Sequence, residues 1–466
     1  MTAVPATSVE LTESLDLAAL ATWLAEQRWY ATKSQAIAAV EVQDAVTLAP
    51  DPPLVLALVR ARLADGRDER YQLVLSFDDG DRDGGDGAAV IQHTASATVL
   101  DALADPARAR VLLTAIDAET ALDGDRGQVS FHRGEYTGPL ETAGSARPMG
   151  VEQSNSSIVF SDTVLKVFRR LEPGVNPELE VLRFLTRHGY PNIAPLRGWC
   201  DYRGAGTRAT LAVAQRFLAT ARGGWEMALE RIGSDPEGLL ADLAGLGRAT
   251  AELHNALASD PGDPDFAPVR PDADALAGAI AAIDADVQRV FARLPDDDDR
   301  LTAIAGRDKE LRGLLATASR SATGGRAIRT HGDYHLGQTL HTSEGWVIID
   351  FEGEPARPLD ERRAKRSPLR DVASMLRSFA YATAATEMAG DAAPPEFEAR
   401  ARDAYLSAYR GVVHPILLPD GDAGVSALLS LFEIEKVVYE LRYELDNRPD
   451  WLAIPAAGIR RLLEPV

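Results

Sequence analysis

THGDYHLGQTLHTSEGWVIIDFEGE, residues 330–354, carries two carboxylates near its ends, Asp333 and Asp350, and an amide, Gln338, five positions after the first. Thr342 to Gly345 is a polar turn, and Trp346 to Ile349 is an apolar run with the character of a buried strand. Folded as loop, hairpin turn and strand, the segment brings both acids and the amide to one end of a small sheet. Mg²⁺ takes hard oxygen donors, commonly one or two carboxylates plus substrate phosphates, so Gln338 and Asp350 are the candidate metal ligands. Asp333 is then left to orient or deprotonate an attacking hydroxyl and is the candidate catalytic residue. The chemistry this spacing implies is phosphoryl transfer.

A second constellation lies upstream. Lys166 sits inside the apolar run VLKVF, residues 164–168, where an unpaired cation is costly. Asn176-Pro177 reads as an N-cap with proline at the first helical position, opening a helix over Pro177 to Arg187. That helix turns Glu180 toward the sheet as partner of Lys166, with Glu178 as the alternative. Ser154, Asn155, Ser156 and Ser157 precede the strand-like runs 158–160 and 164–168. Small side chains there suit a loop whose backbone N–H groups approach phosphate, although a plain polar hairpin reads equally well. Neither GxGxxG nor GxxxxGK[ST] is present.

HGDYHLGQ with IIDFEGE resembles the catalytic loop and metal-binding segment of the aminoglycoside-phosphotransferase and kinase-like superfamily. Within that group, FEGEPARPLDERRAKRSPLRDVASMLRSF, QSNSS, VLKVFRRLEPGVNPELEV and KVVYELRYELDNRPDWLAIP look most like the actinobacterial maltokinases. Gln338 stands where many relatives have Asn, keeping an amide oxygen one methylene further out. The resemblance implies an α/β (α+β), bilobal kinase-like fold: an N-terminal cap and sheet region, then a mainly helical C-terminal lobe. The expected domains are a cap over 1–96, an intermediate nucleotide-binding part over 97–214 and a helical lobe over 215–466. The hinge is expected near Ala212 to Phe217, with Gln215 and Phe217 meeting the adenine. ATP and Mg²⁺ are the implied cofactors. The implied reaction is phosphorylation of maltose at its anomeric hydroxyl, giving maltose 1-phosphate for α-glucan (glycogen) synthesis, with trehalose synthase as pathway neighbour or partner. Asp371, after the metal segment, is expected to anchor the catalytic loop.

Leu431 to Pro455 supplies the candidate sugar site. Glu433, Lys436, Tyr439 or Glu440, Tyr443 and Glu444 recur at three- and four-residue steps, hence on one helical face. A salt-bridged solvent face is the plainer reading. Two tyrosines among the charges, with Arg448 and Trp451 following, suit a carbohydrate: rings cover C–H faces while polar groups bond hydroxyls. Lys436, Tyr439, Glu440, Tyr443, Glu444, Arg448 and Trp451, together with His335 and Glu352 of the catalytic segment, are the candidate substrate contacts. His254 reads as a packing residue.

Composition limits the remaining choices. The 466 residues are 45% hydrophobic and 26% charged, with net charge −21. That balance disfavours nucleic acid and anionic membranes as partners. No apolar run reaches about 18 residues, so no membrane span is expected. The N-terminus lacks signal-peptide character, and a single cysteine, Cys200, fits a reducing cytoplasm. Further expectations are a helix over Ser14 to Arg28, strands over 40–46, 54–63 and 71–77, and a helix over Val99 to Ile116 broken near Pro106. The Asp- and Gly-rich run 78–87 reads as a solvated loop, lacking the twelfth-position Glu of a calcium loop. Asp296 to Asp299 reads as an acidic loop without a site. Three alternatives stay open. A glucosamine or aminoglycoside kinase would share the nucleotide residues. A non-catalytic regulatory module would need none of them. A metal-dependent phosphohydrolase would use His331 and His335.

Overall fold

The computed structural model describes residues 5, 7–30, 32–78, 89–94, 97–135, 137–150, 154–204, 206–295, 297–321 and 324–464. Most of the Asp- and Gly-rich run (79–87), Glu152, Gln153 and Asp296 therefore lie outside the described residues. Packing divides the chain into two units, Met1–Arg187 with Ala194–Ala219, and His188–Ile193 with Thr220–Val466.

The first unit opens with α1 (Ser8–Ser14) and α2 (Leu17–Glu26). The helix expected over Ser14 to Arg28 is α2, which starts three residues later and ends two residues earlier. Asp16 starts a new helix by accepting from the backbone N–H of Ala18 and Ala19. Trp29 and Tyr30 follow and are buried. Strands β1 (Ile37–Pro50), β2 (Pro53–Leu63) and β3 (Asp68–Asp78) form an antiparallel meander. Gly66 at φ +88° supplies the left-handed residue of the β2–β3 turn. β4 (Val90–His93) and β5 (Thr98–Asp101) complete the order β1-β2-β3-β5-β4. The helix expected from Val99 is corrected here: residues 98–101 are strand, and α3 (Pro106–Asp117) begins at the proline expected to break it. Asp105 caps α3, and proline at the first turn costs no hydrogen bond.

A second antiparallel sheet follows, built from β6 (Ala121–Asp123), β7 (Gly127–Arg133), β8 (Ala146–Pro148), β9 (Asn155–Phe160) and β10 (Thr163–Phe168). After β11 (Arg170–Leu171), which pairs back onto β3, and α4 (Pro177–Arg187), it is completed by β12 (Leu196–Gly204) and β13 (Thr207–Arg216). Its order is β6-β7-β12-β13-β10-β9-β8. The two sheets share one core, in which Leu54, Leu56 and Val74 pack with Phe160, Leu165 and Leu211. Buried polar groups tie them together as well. Gln72 donates to the carbonyls of Phe168 and Leu211, and the Arg169 guanidinium forks onto Asp101 at 3.1 and 2.6 Å.

The second unit is mainly helical. It contains β14 (Arg222–Gly223), α5 (Gly224–Ser234), α6 (Pro236–Leu257), α7 (Ala273–Phe291) and α8 (Asp308–Ser321). The hairpin β15 (Thr339–Thr342) and β16 (Gly345–Ile348) joins β14 in a small sheet. Then come α9 (Leu359–Arg363), α10 (Leu369–Met388), α11 (Phe397–Val412), α12 (Gly421–Asn447) and α13 (Ala453–Leu463). His188–Ile193 belongs to this unit although both neighbours along the chain belong to the first. Tyr190 donates to the Ala249 carbonyl at 2.8 Å, and Asn192 exchanges bonds with Trp346 and Ile348. Among the described residues, no helix is long and apolar enough to cross a membrane.

Candidate active site

In the first unit, Lys166 lies on β10 between buried Leu165 and Val167, opposite Ser157 of β9. Its ammonium stands 2.8 Å from Glu178 Oε2, with the two side chains 11% and 2% exposed. The expected partner Glu180 is thus replaced by Glu178. Helix geometry explains why. At about 100° per residue, Glu178, Val181, Leu182 and Leu185 share the buried stripe of α4, and Glu180 falls about 200° away. Asn176 caps the helix by accepting from the Glu178 N–H at 2.8 Å. The other oxygen, Glu178 Oε1, accepts from Gln215 Nε2 at 2.8 Å. A buried carboxylate is tolerable on these terms, with a donor on each oxygen. The Gln215 side chain is therefore turned to Glu178. Phe217 donates its N–H to the Asp162 carbonyl at 2.7 Å, and its ring lies beneath Arg147.

The serine segment takes the hairpin alternative. Asn155, Ser156 and Ser157 are strand, not loop, and Ser154 alone precedes β9. Ser156 Oγ accepts from Arg169 Nε at 2.7 Å, so that hydroxyl helps fix the junction of the two sheets.

In the second unit, Asp371 in the first turn of α10 organises the catalytic segment. It is fully buried and accepts from the N–H groups of His331 (2.8 Å) and Gly332 (3.0 Å). His254 Nε2 lies 3.3 Å from it, and His254 Nδ1 meets the Tyr409 hydroxyl at 2.9 Å. Burial opposes ionisation of Asp371, yet His254, His331 and the backbone donor outweigh it and hold its pKa below the usual carboxylate value. Asp371 is an anchor, as its position suggested. Gly332 makes the geometry feasible: its φ of +87° is one that residues with a Cβ rarely adopt.

His331 Nε2 sits 2.9 Å from the Ile349 carbonyl, which fixes Nε2 as the protonated nitrogen, and its Nδ1 faces the Asp333 N–H at 3.4 Å. With both nitrogens engaged by backbone, His331 is not presented as a metal ligand. His335 caps the short turn Leu336–Gln338 by accepting from the Gly337 N–H at 3.0 Å. Burial lowers its pKa, with Asp333 pulling the other way. Gln338 Nε2 donates to Asp350 Oδ2 at 2.8 Å, and Asp350 holds a left-handed φ of +66°. Glu352 brings a carboxylate oxygen within 4.8 Å of Asp350. Two carboxylates and an amide form a hard-oxygen donor set that fits Mg²⁺.

Asp333 lies 3.8 Å from the Lys436 ammonium of α12. Lys436 and Tyr439 line a polar cleft of about 330 Å³ that also reaches Gly332, Glu354, Arg370 and Glu435. Tyr439 and Tyr443 stack at 6.4 Å, and Arg448 lies against both Tyr443 and Trp451. Glu440 and Glu444, expected among these residues, point elsewhere. Glu440 is buried against Arg377 at 2.8 Å, and Glu444 accepts from Tyr381 and Arg448. Glu433 is likewise buried, between Arg402 and Arg461. Glu433, Glu440 and Glu444 repeat at seven and four positions, so they fall within about 20° of one stripe and face inward. Sequence reading missed Glu354, Arg357, Arg366, Arg370 and Glu435. The signal available was the alternation of acids and arginines after the metal segment.

This fold, with a Lys–Glu pair in one unit and a two-acid hairpin segment in the other, is that of a phosphotransferase. The phosphotransferase enzyme family matches residues 145–413, more than half of the chain, and the chain belongs to that family. The maltokinase N-terminal cap domain matches residues 23–105. A glucosamine kinase of Mycolicibacterium smegmatis (strain ATCC 700084 / mc(2)155) is 26% identical over 341 residues, covering 70% of this chain and 81% of the relative. One from Streptacidiphilus jiangxiensis is 27% identical over 362 residues, covering 74% and 80%. A solved glucosamine kinase in complex with glucosamine, ADP and inorganic phosphate shares the fold with a TM-score of 0.70 at 21% identity. That match covers 95% of this chain and 99% of the other.

Proposed function

We propose that this chain is a sugar kinase that transfers the γ-phosphoryl group of ATP to maltose at its anomeric hydroxyl, giving maltose 1-phosphate. The observation that carries the reading is Asp333, held on a loop tied to Asp371, beside Lys436 of a polar cleft. Asp333 takes or orients the proton of the acceptor hydroxyl. Lys436, 3.8 Å away, places an ammonium beside Asp333. Lys166, held by Glu178, bonds phosphate oxygens. Gln338 and Asp350 hold Mg²⁺, which supplies positive charge to the phosphates. Tyr439, Tyr443, Arg448 and Trp451 offer ring faces and donors to a sugar. The cap domain and the sequence resemblance support maltose, α-glucan synthesis as the destination of the product, and a cytoplasmic setting with trehalose synthase as neighbour.

A second acceptor is glucosamine. Two relatives carry that name, and Glu354 and Glu435, each paired with an arginine, line the cleft. ADP release with Mg-ATP against maltose, glucose, trehalose, glucosamine and an aminoglycoside separates the two, with product NMR locating the phosphate. Maltose turnover with phosphate on the anomeric carbon supports the first reading. Turnover confined to an aminated sugar keeps the catalytic roles and replaces the acceptor. Nucleotide binding without turnover on any sugar overturns the kinase reading.

A further inference from the structure

The cleft beside Asp333 is lined by charged groups that are nearly all matched. Arg370 is paired with Glu435 at 2.8 Å, and Arg357 with Glu354 and with Glu435 at 3.5 Å. Arg442 has Asp286 at 3.8 Å, and Lys436 has Asp333. Asp371 is satisfied by two backbone N–H groups and His254.

Arg366 is the exception. It lines the same cleft, is half-buried, and its guanidinium has no hydrogen-bond or ion-pair partner among the described residues. Burial, then the neighbouring Arg370 and Arg357, lower its pKa and outweigh the opposing pull of Glu435 and Glu361. Its backbone pairs with Ile328 in both directions, which fixes the stem and leaves the head group toward the cleft. A second unused group lies on the same wall: the buried Ser374 hydroxyl, on α10, also lacks a partner among the described residues.

We infer that this cleft holds an oxyanion, a phosphate monoester or a carboxylate, on the Arg366 guanidinium with Ser374 Oγ–H as an additional donor. A planar fork of N–H donors matches the paired oxygens of such a group. An oxyanion here restores the charge balance that the other lining pairs already have. The cleft's volume of about 330 Å³ admits a ligand larger than the anion alone. Such a ligand reaches toward Lys436 and Gly332, next to the hydroxyl-activating Asp333, so a bound phosphorylated sugar excludes the acceptor. The anion site stands on geometry, while exclusion of the acceptor rests on the proposed kinase function.

The test is calorimetric titration of the full chain with inorganic phosphate, glucose 1-phosphate and acetate at constant ionic strength, without turnover. The expected result is binding of at least one of these that weakens at least about tenfold in Arg366→Gln and about threefold or less in Arg366→Lys. Ser374→Ala weakens it to a smaller degree, and Lys166→Met leaves it unchanged, which separates this cleft from the nucleotide residues. Tighter glucose 1-phosphate than phosphate identifies a sugar phosphate as the ligand class, and acetate alone identifies a carboxylate. Circular dichroism confirms that each variant is folded; if Arg366→Gln is not, Arg366→Lys and Ser374→Ala carry the comparison. No binding by the wild type at tens of millimolar, or equal binding in the folded variants, overturns the inference.

Discussion

Asp333 and Asp371 are both acids of the catalytic segment's surroundings, but their environments assign them opposite work. Asp333 faces an ammonium and a cleft, so Asp333→Asn is expected to lower turnover by about 10²–10⁴-fold while nucleotide affinity stays near wild type. Steady-state kinetics with a nucleotide titration checks both halves, and unchanged turnover removes Asp333 from its role. Asp371 is a buried acceptor for two backbone donors. Asp371→Ala is expected to cost about 3 kcal/mol or more by urea denaturation, since it strands those N–H groups. Its lowered pKa also has a pH consequence. A depressed folded pKa contributes stability that is complete above the ordinary carboxylate value of 3.8 and lost as pH falls through the depressed value. Asp371→Asn is expected to lack that acid-side loss, and thermal unfolding between pH 3 and 7 measures it.

At the scale of the element, α12 shows what a sequence pattern does and does not contain. The three- and four-residue recurrence correctly places Lys436, Tyr439 and Tyr443 on an outward arc. It could not separate from them the inward acids Glu433 and Glu440, because their counter-ions come from α10, α11 and α13, nor Glu444, whose second partner, Tyr381, also lies on α10. A buried carboxylate is legible only once its arginine is known. The same limit produced the choice of Glu180 over Glu178. The α4 boundaries and its Asn176 cap were readable, whereas the rotation that aims one glutamate at Lys166 is set by packing of Val181 and Leu185. Local chemistry was legible in the catalytic hairpin, where turn, strand and Asp371 anchor all lie within about forty residues. Breaking one partner of a buried pair should expose the difference between the two faces. Arg377→Met alone is expected to cost about 3–5 kcal/mol, and Arg377→Met with Glu440→Leu markedly less, in a double-mutant cycle of denaturant unfolding. Tyr443→Ala, on the outward arc, is expected to raise the sugar KM and leave the melting temperature within about 2 °C.

For the molecule as a whole, the cap sheet is not an appendage of the first unit. Leu54, Leu56 and Val74 fill the same core as Phe160 and Leu165, and Gln72 and Arg169 stitch the sheets with buried hydrogen bonds. A chain beginning at Asp105 is therefore expected to be aggregated or insoluble, because it uncovers that apolar face. Size-exclusion chromatography of the shortened chain checks this, and a monodisperse folded peak would show the cap to be dispensable. The strands of this sheet were readable as apolar runs. The sharing of one core between two sheets was not, since it depends on contacts far apart in sequence.

The short segment His188–Ile193 leaves the first unit, is fastened to the second through Tyr190 and Asn192, and returns at Ala194 before the final crossing at Ala219–Thr220. Each unit is consequently discontinuous in the gene. A nick by a protease at any one of these crossings divides at least one unit between the two pieces. Fragment complementation faces the same obstacle: no cut of the reading frame yields one intact unit on each polypeptide. The natural seams for dividing this protein are surface loops inside a unit, not the border between units.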